Sequence, residues 1–234
     1  MPSPKPLHVG IVACSAEGAA LCYRTFCEEG AAFLGTHRHP DVSLHTHCLG
    51  DYMDVIDRDD WRGVADLMLS SATKLKAAGA ELLICPDNTI HRAWPFVAPA
   101  APLPWLHIVE VVGAEAQRRG FRRLGITGTR YTMNSGLYPQ VLDRLGLETR
   151  VPPAETQEAL NRIIFEELVK GDFRPESVLT FLTAIAALKA EGCDAVVLGC
   201  TEIPLIVNDG NSPLPVLDST RLLARAALRR AMEG

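Results

Sequence analysis

The sequence predicts an α/β protein made of two Rossmann-like lobes with mostly parallel sheets, related by a pseudo-twofold axis. The first observation is that short β-branched, apolar runs alternate with longer segments of helical period. That alternation is typical of βαβ units, whose strands are parallel. The second observation is a pair of similar strand-to-helix turns, near residues 85 and 200, which indicates an internal repeat.

Strands are predicted wherever a short apolar run is bounded by turn formers. In chain order these runs are residues 8–13, 42–46, 82–85, 105–108, 124–127, 195–198 and 215–217. Helices are predicted at residues 61–78, 175–191 and 220–232, where helical spacing of apolar residues is clear. Gly79 and Gly192 follow the first two helices and are interpreted as helix stops.

Two segments rich in turn formers are predicted to connect the lobes. Residues 95–104 are rich in proline and should break both helix and strand, and residues 208–215 form the second connection. The predicted organisation is residues 1–103 plus 212–234 for lobe one and 104–211 for lobe two. Because ligands of open α/β sheets bind at the carboxyl ends of strands, we expect the active site in the cleft between the lobes.

Composition limits the classes of partner and compartment. The chain has 234 residues, a net charge of -5 and charges of both signs along its length, so neither nucleic acid nor a membrane is expected as a partner. No apolar run approaches the roughly 20 residues that span a bilayer. The seven cysteines are odd in number and no secretory signal is recognised, which predicts a soluble, cytoplasmic protein with reduced thiols.

Cys200 is the strongest candidate for chemistry. It follows the predicted strand at residues 195–198 and precedes a short helix with Pro204 in its first turn. A helix N-terminus lowers the pKa of a thiol from its free value of about 8.5, so Cys200 is predicted to be partly thiolate near neutrality. The alternative is a small residue buried in a tight turn.

Asp87, Asn88 and Thr89 follow the strand at residues 82–85 in the corresponding way. Asp or Asn before a helix is a common N-cap, whereas Asn88 and Thr89 can also donate hydrogen bonds to a carboxylate at a helix N-terminus. Two such turns facing one ligand would present Asp87 and Cys200 to its opposite sides, which suits proton transfer. Cys85 lies on the strand side of the turn and is interpreted as a core residue.

These motifs resemble those of the aspartate/glutamate racemase superfamily. The stretches that match are Asn88 to His91, residues 198–205 around Cys200, Val9 to Ile11 with Ser15 and Glu17, residues 128–133, and residues 161–168. Glutamate racemases usually carry His at the place of Glu202, so the resemblance favours the aspartate-racemase branch.

The resemblance implies a cofactor-independent isomerase that racemises a small amino acid or dicarboxylate, forms a homodimer, and needs neither pyridoxal phosphate nor a metal. In this family two cysteines flank the substrate; one removes the α-proton and the other returns a proton to the opposite face. By resemblance Cys200 is the second cysteine and the main acid/base. Substrate contacts are implied for Asn88, Thr89, Thr201, Ser15, Thr129, Arg130, Tyr131 and Thr132.

Two departures from the family pattern bear on the reaction and the substrate. The family's first thiol directly precedes the Asn-Thr pair, and that place is Asp87 here. An ordinary aspartate is a weaker base than a thiolate by roughly 6 kcal/mol, so Asp87 is interpreted as a modified proton relay or as a residue that positions substrate or water. The family's glycine-rich N-terminal motif is replaced by Ala13, Cys14 and Ser15, which predicts a reshaped pocket.

Other functions are compatible with the same residues. A single-thiol decarboxylase or isomerase of the superfamily would need only Cys200, to protonate an enediolate from one face. A non-catalytic dicarboxylate-binding protein would keep the cleft without turnover. A metal site is disfavoured, because no nearby ligand spacing completes a familiar centre around the histidine pairs, which are His37 with His39 and His45 with His47.

Overall fold

The computed structural model describes residues 5–234 and contains two compact α/β units. Unit 1 consists of the described residues up to Ile108 together with Thr220–Gly234, and unit 2 is Val109–Ser219. Each unit contains one sheet of four parallel strands. The predicted α/β class, with two mostly parallel sheets, is confirmed.

In unit 1 the four strands lie within the runs that the sequence predicts. The strands are β1 (Val9–Ala13), β2 (Val42–Thr46), β3 (Leu82–Ile84) and β4 (Trp105–Leu106), in the order β2-β1-β3-β4. The helices are α1 (Ala16–Leu34), α2 (Leu49–Ile56), α3 (Trp61–Ala77) and α4 (Trp94–Val97). β1 and β3 are central and buried along their whole length, which explains their unbroken apolar character.

Unit 2 repeats this topology. Its strands are β5 (Arg123–Thr127), β6 (Glu148–Arg150), β7 (Ala195–Leu198) and β8 (Val216–Asp218), in the order β6-β5-β7-β8. Its helices are α5 (Ile108–Arg118), α6 (Arg130–Asn134), α7 (Leu137–Leu142), α8 (Ala154–Glu166) and α9 (Pro175–Ala190). Since the two strand orders correspond, β3 of the first sheet and β7 of the second occupy equivalent positions.

The last helix, α10 (Ser219–Glu233), returns the chain to unit 1. The Arg225 guanidinium donates hydrogen bonds to both carboxylate oxygens of Glu29 in α1, at 2.8 to 2.9 Å. The backbone N–H of Leu7 donates to the carbonyl oxygen of Ala231 at 2.9 Å. Residues from the two ends of the sequence therefore complete one unit together.

Helix ends follow the glycine signals. Gly79 and Gly192 have φ angles of +98° and +87°, a region that glycine adopts readily at the end of a helix. Both predicted helix stops are therefore confirmed. Short 3-10 helices lie at Thr89–Ala93, Ala98–Ala100, Asp143–Leu145, Leu168–Lys170 and Ile203–Leu205. None of the helices in residues 5–234 combines the length and the apolar character that crossing a membrane requires.

The proline-rich stretch at residues 95–104 differs from its prediction. Pro95 lies in the first turn of α4, and Pro99 lies at the same point of the 3-10 helix Ala98–Ala100. Proline lacks a backbone donor, but donors in the first turn have no intrahelical acceptor, so the helix loses nothing there. The expectation that this stretch is free of helix was therefore wrong.

Candidate active site

The carboxyl end of β7 carries Cys200. The Cys200 thiol donates a hydrogen bond to Oε2 of Glu202, with an Sγ–Oε2 distance of 2.9 Å. The Thr201 hydroxyl donates to the same oxygen at 2.8 Å. Glu202 and Thr201 are buried, whereas Cys200 is partly exposed. Oε2 of Glu202 thus accepts hydrogen bonds from the side chains of both Cys200 and Thr201. An acceptor for the thiol proton is therefore already in contact with the thiol.

The helix that follows Cys200 is a single short turn. The 3-10 helix Ile203–Leu205 spans 3 residues, with Pro204 near its start as the sequence indicates. A helix dipole grows with the number of aligned peptide units, so a turn of this length contributes little. The thiol is instead in direct contact with the Glu202 carboxylate. The thiolate predicted from the sequence rests on the helix N-terminus alone and does not take Glu202 into account.

The loop after β5 brings the predicted threonines to this turn. Thr129 caps α6, because its hydroxyl accepts a hydrogen bond from the backbone N–H of Thr132 at 3.2 Å. The Thr132 hydroxyl donates to the carbonyl oxygen of Gly199 at 3.4 Å, and the Gly199 N–H donates to the carbonyl oxygen of Thr127 at 2.7 Å. The loop with Thr129 and Thr132 is therefore bonded to the residue that precedes Cys200.

Arg130 and Tyr131 form the start of α6, directly after Thr129, and interact with each other. The Arg130 guanidinium donates to the Tyr131 hydroxyl at 3.2 Å and lies 5.1 Å from the centroid of its ring. The backbone N–H of Arg130 donates to Oδ1 of Asn161 at 3.0 Å. Arg130 is exposed and Tyr131 is half-buried, whereas Thr129 is buried. In unit 2, therefore, Thr129 and Thr132 are linked by hydrogen bonds to the turn that carries Cys200, whereas the side chain of Arg130 contacts Tyr131.

Gly199 marks a close approach between the two segments, and a side chain there should destabilise the protein. A Cβ atom on Gly199 would lie 2.8 Å from the carbonyl oxygen of Thr127 and 3.1 Å from Cγ2 of Thr132. Because backbone on one side and a β-branched side chain on the other must move, we expect Gly199→Ala to lower the free energy of unfolding by roughly 1–3 kcal/mol. Urea denaturation measures this change.

Gly50→Ala is the matched control for that measurement. A Cβ atom on Gly50 would meet only Sγ of Cys48, at 3.6 Å, which is an ordinary contact. Gly50 lies within α2, where alanine is favoured over glycine by about 1 kcal/mol. An equal loss of stability in both variants would contradict the steric explanation for Gly199.

In unit 1, the carboxyl end of β3 carries the turn with Asp87, Asn88 and Thr89. Oδ1 of Asp87 accepts from the backbone N–H of Ile90 at 3.4 Å, at the start of the 3-10 helix. His91 donates from Nδ1 to the carbonyl oxygen of Asp87 at 2.7 Å. Asn88 is buried, and Asp87 and Thr89 are partly buried. The imidazole of His91 therefore holds the backbone of the turn, while the Asp87 side chain makes a long capping contact.

Cys14 and Ser15 directly follow the neighbouring strand β1. Ser15 caps α1, because its hydroxyl accepts from the backbone N–H of Gly18 at 3.3 Å. β1 and β3 are adjacent and parallel, so both end at the same edge of the sheet. Unit 1 thereby places Ser15 on the edge that carries the Asp87 turn.

Tyr52 of α2 is a residue of this site that the sequence analysis missed. Its side chain is fully buried, and burial raises the pKa of its phenol, with Cys85, Cys14 and Asp87 as acidic neighbours that raise it further. Cys85 is fully buried, as the sequence indicates; burial raises the pKa of its thiol well above the ordinary value. The helical spacing of Tyr52 and Ile56, both buried, is the signal that could have identified this inward-facing side.

The histidine pair on β2 takes part in hydrogen bonds with α3. Nδ1 of His45 and the Ser71 hydroxyl are 2.9 Å apart, and Lys74 donates to Nε2 of His45 at 3.0 Å. Nε2 of His47 lies 3.2 Å from the Ser70 hydroxyl. Over residues 5–234, no group of three or more His, Cys, Asp or Glu is arranged to hold a metal ion.

Comparison with known proteins adds to this geometry. Residues 14–227 match the family model described as Asp/Glu/Hydantoin racemase. The chain is 24% identical over 191 residues to the broad specificity amino-acid racemase RacX of Bacillus subtilis, a match that covers 81% of each chain.

Two solved structures show the same architecture. A Yersinia pestis protein provisionally assigned as an Asp/Glu racemase has a TM-score of 0.89 and 32% identity, covering 97% of this chain and 99% of that chain. PH1733, an aspartate racemase homologue from Pyrococcus horikoshii OT3, has a TM-score of 0.84 and 29% identity, covering 96% and 98%. The residues matched by the family model, 14–227, include both the Asp87 turn and Cys200.

Proposed function

Because this chain belongs to the Asp/Glu/hydantoin racemase family, whose racemases are isomerases that need no cofactor, we propose that it racemises an amino acid with Cys200 as its main acid/base. The family match confirms the resemblance and the isomerase class that the sequence predicts. The observation that supports the role of Cys200 is the 2.9 Å contact between its thiol and Glu202. By the same resemblance we propose a homodimer, which sedimentation velocity at micromolar concentration tests.

The contact with Glu202 suits a thiol that must lose its proton before it can act. A cysteine removes an α-proton only as the thiolate. We propose that Oε2 of Glu202 receives the Cys200 proton, after which the thiolate takes the α-proton of the substrate. The Thr201 hydroxyl, bound to the same oxygen at 2.8 Å, orients the carboxylate. In the opposite direction the Cys200 thiol returns a proton to the planar carbanion.

Racemisation also needs a proton donor for the other face of the α-carbon. We propose Asp87 for this role, in the place of the family's first cysteine. Its backbone is held by His91, which fixes the point from which the carboxyl group extends. The α-carboxylate of the substrate accumulates charge as the proton leaves, and it needs preorganised donors. Ser15, Asn88, Thr89, Thr129, Thr132 and Thr201 are proposed for this purpose.

Glu202→Gln tests the route of the thiol proton. The amide oxygen can still accept the hydrogen bond of Cys200, but it cannot take the proton, so we expect kcat to fall by about 10²–10⁴-fold in both directions. Alkylation of Cys200 by iodoacetamide should also slow at neutral pH. Peptide mass spectrometry must follow that reaction, because the chain has seven cysteines.

Glu155→Gln provides the control, since Glu155 is exposed in the first turn of α8. It removes the same charge and should change neither kcat nor alkylation of Cys200. Faster alkylation together with an undiminished kcat in Glu202→Gln would show that the carboxylate only repels the thiolate. That outcome would contradict the proton route through Glu202.

Incubation of single enantiomers in D2O tests the function itself. The expected result is inversion of configuration with deuterium at the α-carbon, read by NMR and chiral chromatography, in the presence of EDTA and without added pyridoxal phosphate. A single-thiol decarboxylase is the second candidate, favoured by the carboxyl group of Asp87 where the family has a thiol. Release of CO2 from a malonate without inversion of any amino acid would support it, and thermal stabilisation without either reaction would indicate a binding protein.

A further inference from the structure

We infer that the amino acid on which this protein acts has an uncharged, apolar side chain, and that this side chain lies in a pocket of unit 1 beside Ser15. The inference rests on the proposed racemase function and adds the class of substrate. The pocket has a volume of about 410 Å³ and is lined by Cys14, Ser15, Leu44, Thr46, His47, Leu49 and one side of α1. Small-molecule sites usually have volumes of roughly 300–1,000 Å³, so the pocket can hold any standard amino-acid side chain.

The wall of the pocket formed by α1 is made of small side chains. Ala16, Ala19 and Ala20 line it, and Tyr23 continues the same side of the helix. Residues that are three or four positions apart lie on one face of a helix, so the alanines form a shallow surface with space above it. Larger side chains at these positions would fill the pocket.

Both walls of the pocket leave large apolar groups accessible. Tyr23, Leu44 and Leu49 are 44%, 42% and 40% exposed, and all three line this pocket. Scattered single apolar residues are normal on a surface, but several around one concavity indicate a binding site. An apolar side chain of the substrate would remove part of this surface from water, at roughly 25 cal/mol per Å².

The described residues that line the pocket disfavour a substrate with an acidic side chain. The described residues that line it include no Lys, Arg, Asp or Glu. A carboxylate placed there would lose hydration and would meet no lysine or arginine, only the imidazole of His47, and unpaired charges are costly to bury. Two of the polar lining groups already have bonds within the fold: the Thr46 hydroxyl donates to the carbonyl oxygen of His47 at 2.7 Å, and His47 pairs with Ser70.

The pocket adjoins the site described for unit 1 at Ser15, which lines it. β1 lies between β2 and β3, and all three are parallel, so their carboxyl ends share one edge of the sheet. The pocket is on the β2 side of Ser15 and the Asp87 turn is on the β3 side. A substrate whose carboxylate contacts Ser15 therefore has its side chain within reach of the pocket.

Two variants and a control test this inference. For the unmodified protein, kcat/KM for leucine, methionine or phenylalanine should exceed that for aspartate and glutamate by about tenfold or more. Ala20→Phe fills the pocket and should lower kcat/KM for these large substrates about tenfold relative to alanine. Leu44→Arg adds a cation and should shift the preference towards aspartate and glutamate. Ala32→Phe, at an exposed position near the other end of α1, should change none of these ratios.

The outcomes separate this inference from the proposed function. Preferred racemisation of aspartate or glutamate, with Ala20→Phe without effect on substrate choice, overturns the inference and leaves the function intact. If no amino acid is racemised, the proposed function fails. In that case, leucine binding that is detected by saturation-transfer NMR and lost in Ala20→Phe still supports the pocket. Absence of leucine binding overturns the pocket as well. A further outcome is that Ala20→Phe changes the sedimentation coefficient and leaves substrate choice unchanged. That result would assign the pocket to contact between copies of the chain, and it would also overturn the inference.

Discussion

Replacing Cys200 with serine should abolish proton exchange at the α-carbon of the substrate while the protein remains folded. A serine hydroxyl can donate to Oε2 of Glu202 as the thiol does at 2.9 Å, so the local hydrogen bonds are retained. The hydroxyl is far harder to ionise than a thiol, and it cannot act as the base that removes an α-proton. We expect the rate of α-deuteration in D2O to fall by at least about 10³-fold.

Cys48→Ser is the control for this experiment, because Cys48 is the exposed cysteine of unit 1 and precedes α2. It should keep the full exchange rate. Urea denaturation of Cys200→Ser should give a free energy of unfolding within about 1 kcal/mol of the unmodified protein. Retention of most of the exchange rate in Cys200→Ser would end the assignment of Cys200 as the acid/base.

Asp87→Ala should separate exchange from inversion. If Cys200 exchanges the α-proton on one face and Asp87 serves the other, the variant should still incorporate deuterium into one enantiomer but should no longer invert it. Asp87→Cys installs a second thiol, a stronger base than a carboxylate by several kcal/mol, and should raise racemisation in both directions. Each variant is incubated with the same single enantiomers in D2O, and inversion is compared with deuteration.

A purely structural role for Asp87 predicts that its replacement lowers stability and leaves the rate of inversion unchanged. Its side chain accepts a long hydrogen bond from the N–H of Ile90 at 3.4 Å, and the loss of such a cap costs about 1 kcal/mol. Asp87→Asn keeps the acceptor but cannot transfer a proton, so it should behave like Asp87→Ala in the exchange assay. Inversion at the original rate in both variants would show that Asp87 is only a cap, and the two-sided mechanism would then be wrong.

Strands buried on both faces are the easiest to predict, although the partly exposed edge strand β2 is also predicted with its observed bounds. β1, β3 and β7 are buried along their whole length and leave unbroken apolar runs in the sequence. β6 is missing from the predicted strands because it lies at the edge of its sheet and exposes Glu148 and Arg150. Its position depends on pairing with β5 and on contacts such as the Arg123–Glu148 ion pair, 2.8 Å long, which local sequence does not reveal.

For the candidate site, the sequence predicts where residues lie along the chain better than what they touch. Cys200 and Asp87 follow buried strands at equivalent positions, as their spacing indicates. The bond between Cys200 and Glu202 depends on the conformation of a turn between them, and the burial of Tyr52 depends on how α2 packs. Both are tertiary properties, and the pocket beside Ser15 is another.

The return of α10 to unit 1 affects the order in which the protein can assemble during synthesis. Unit 2 is one continuous segment and can fold once it has left the ribosome, whereas unit 1 needs the last helix to supply the partner of Glu29 and the buried side chains of Leu223 and Leu228. At roughly 5–20 residues per second, translation of unit 2 delays that helix by on the order of ten seconds. During this interval the nascent N-terminal segment has an incomplete core and exposes apolar surface that the last helix later buries.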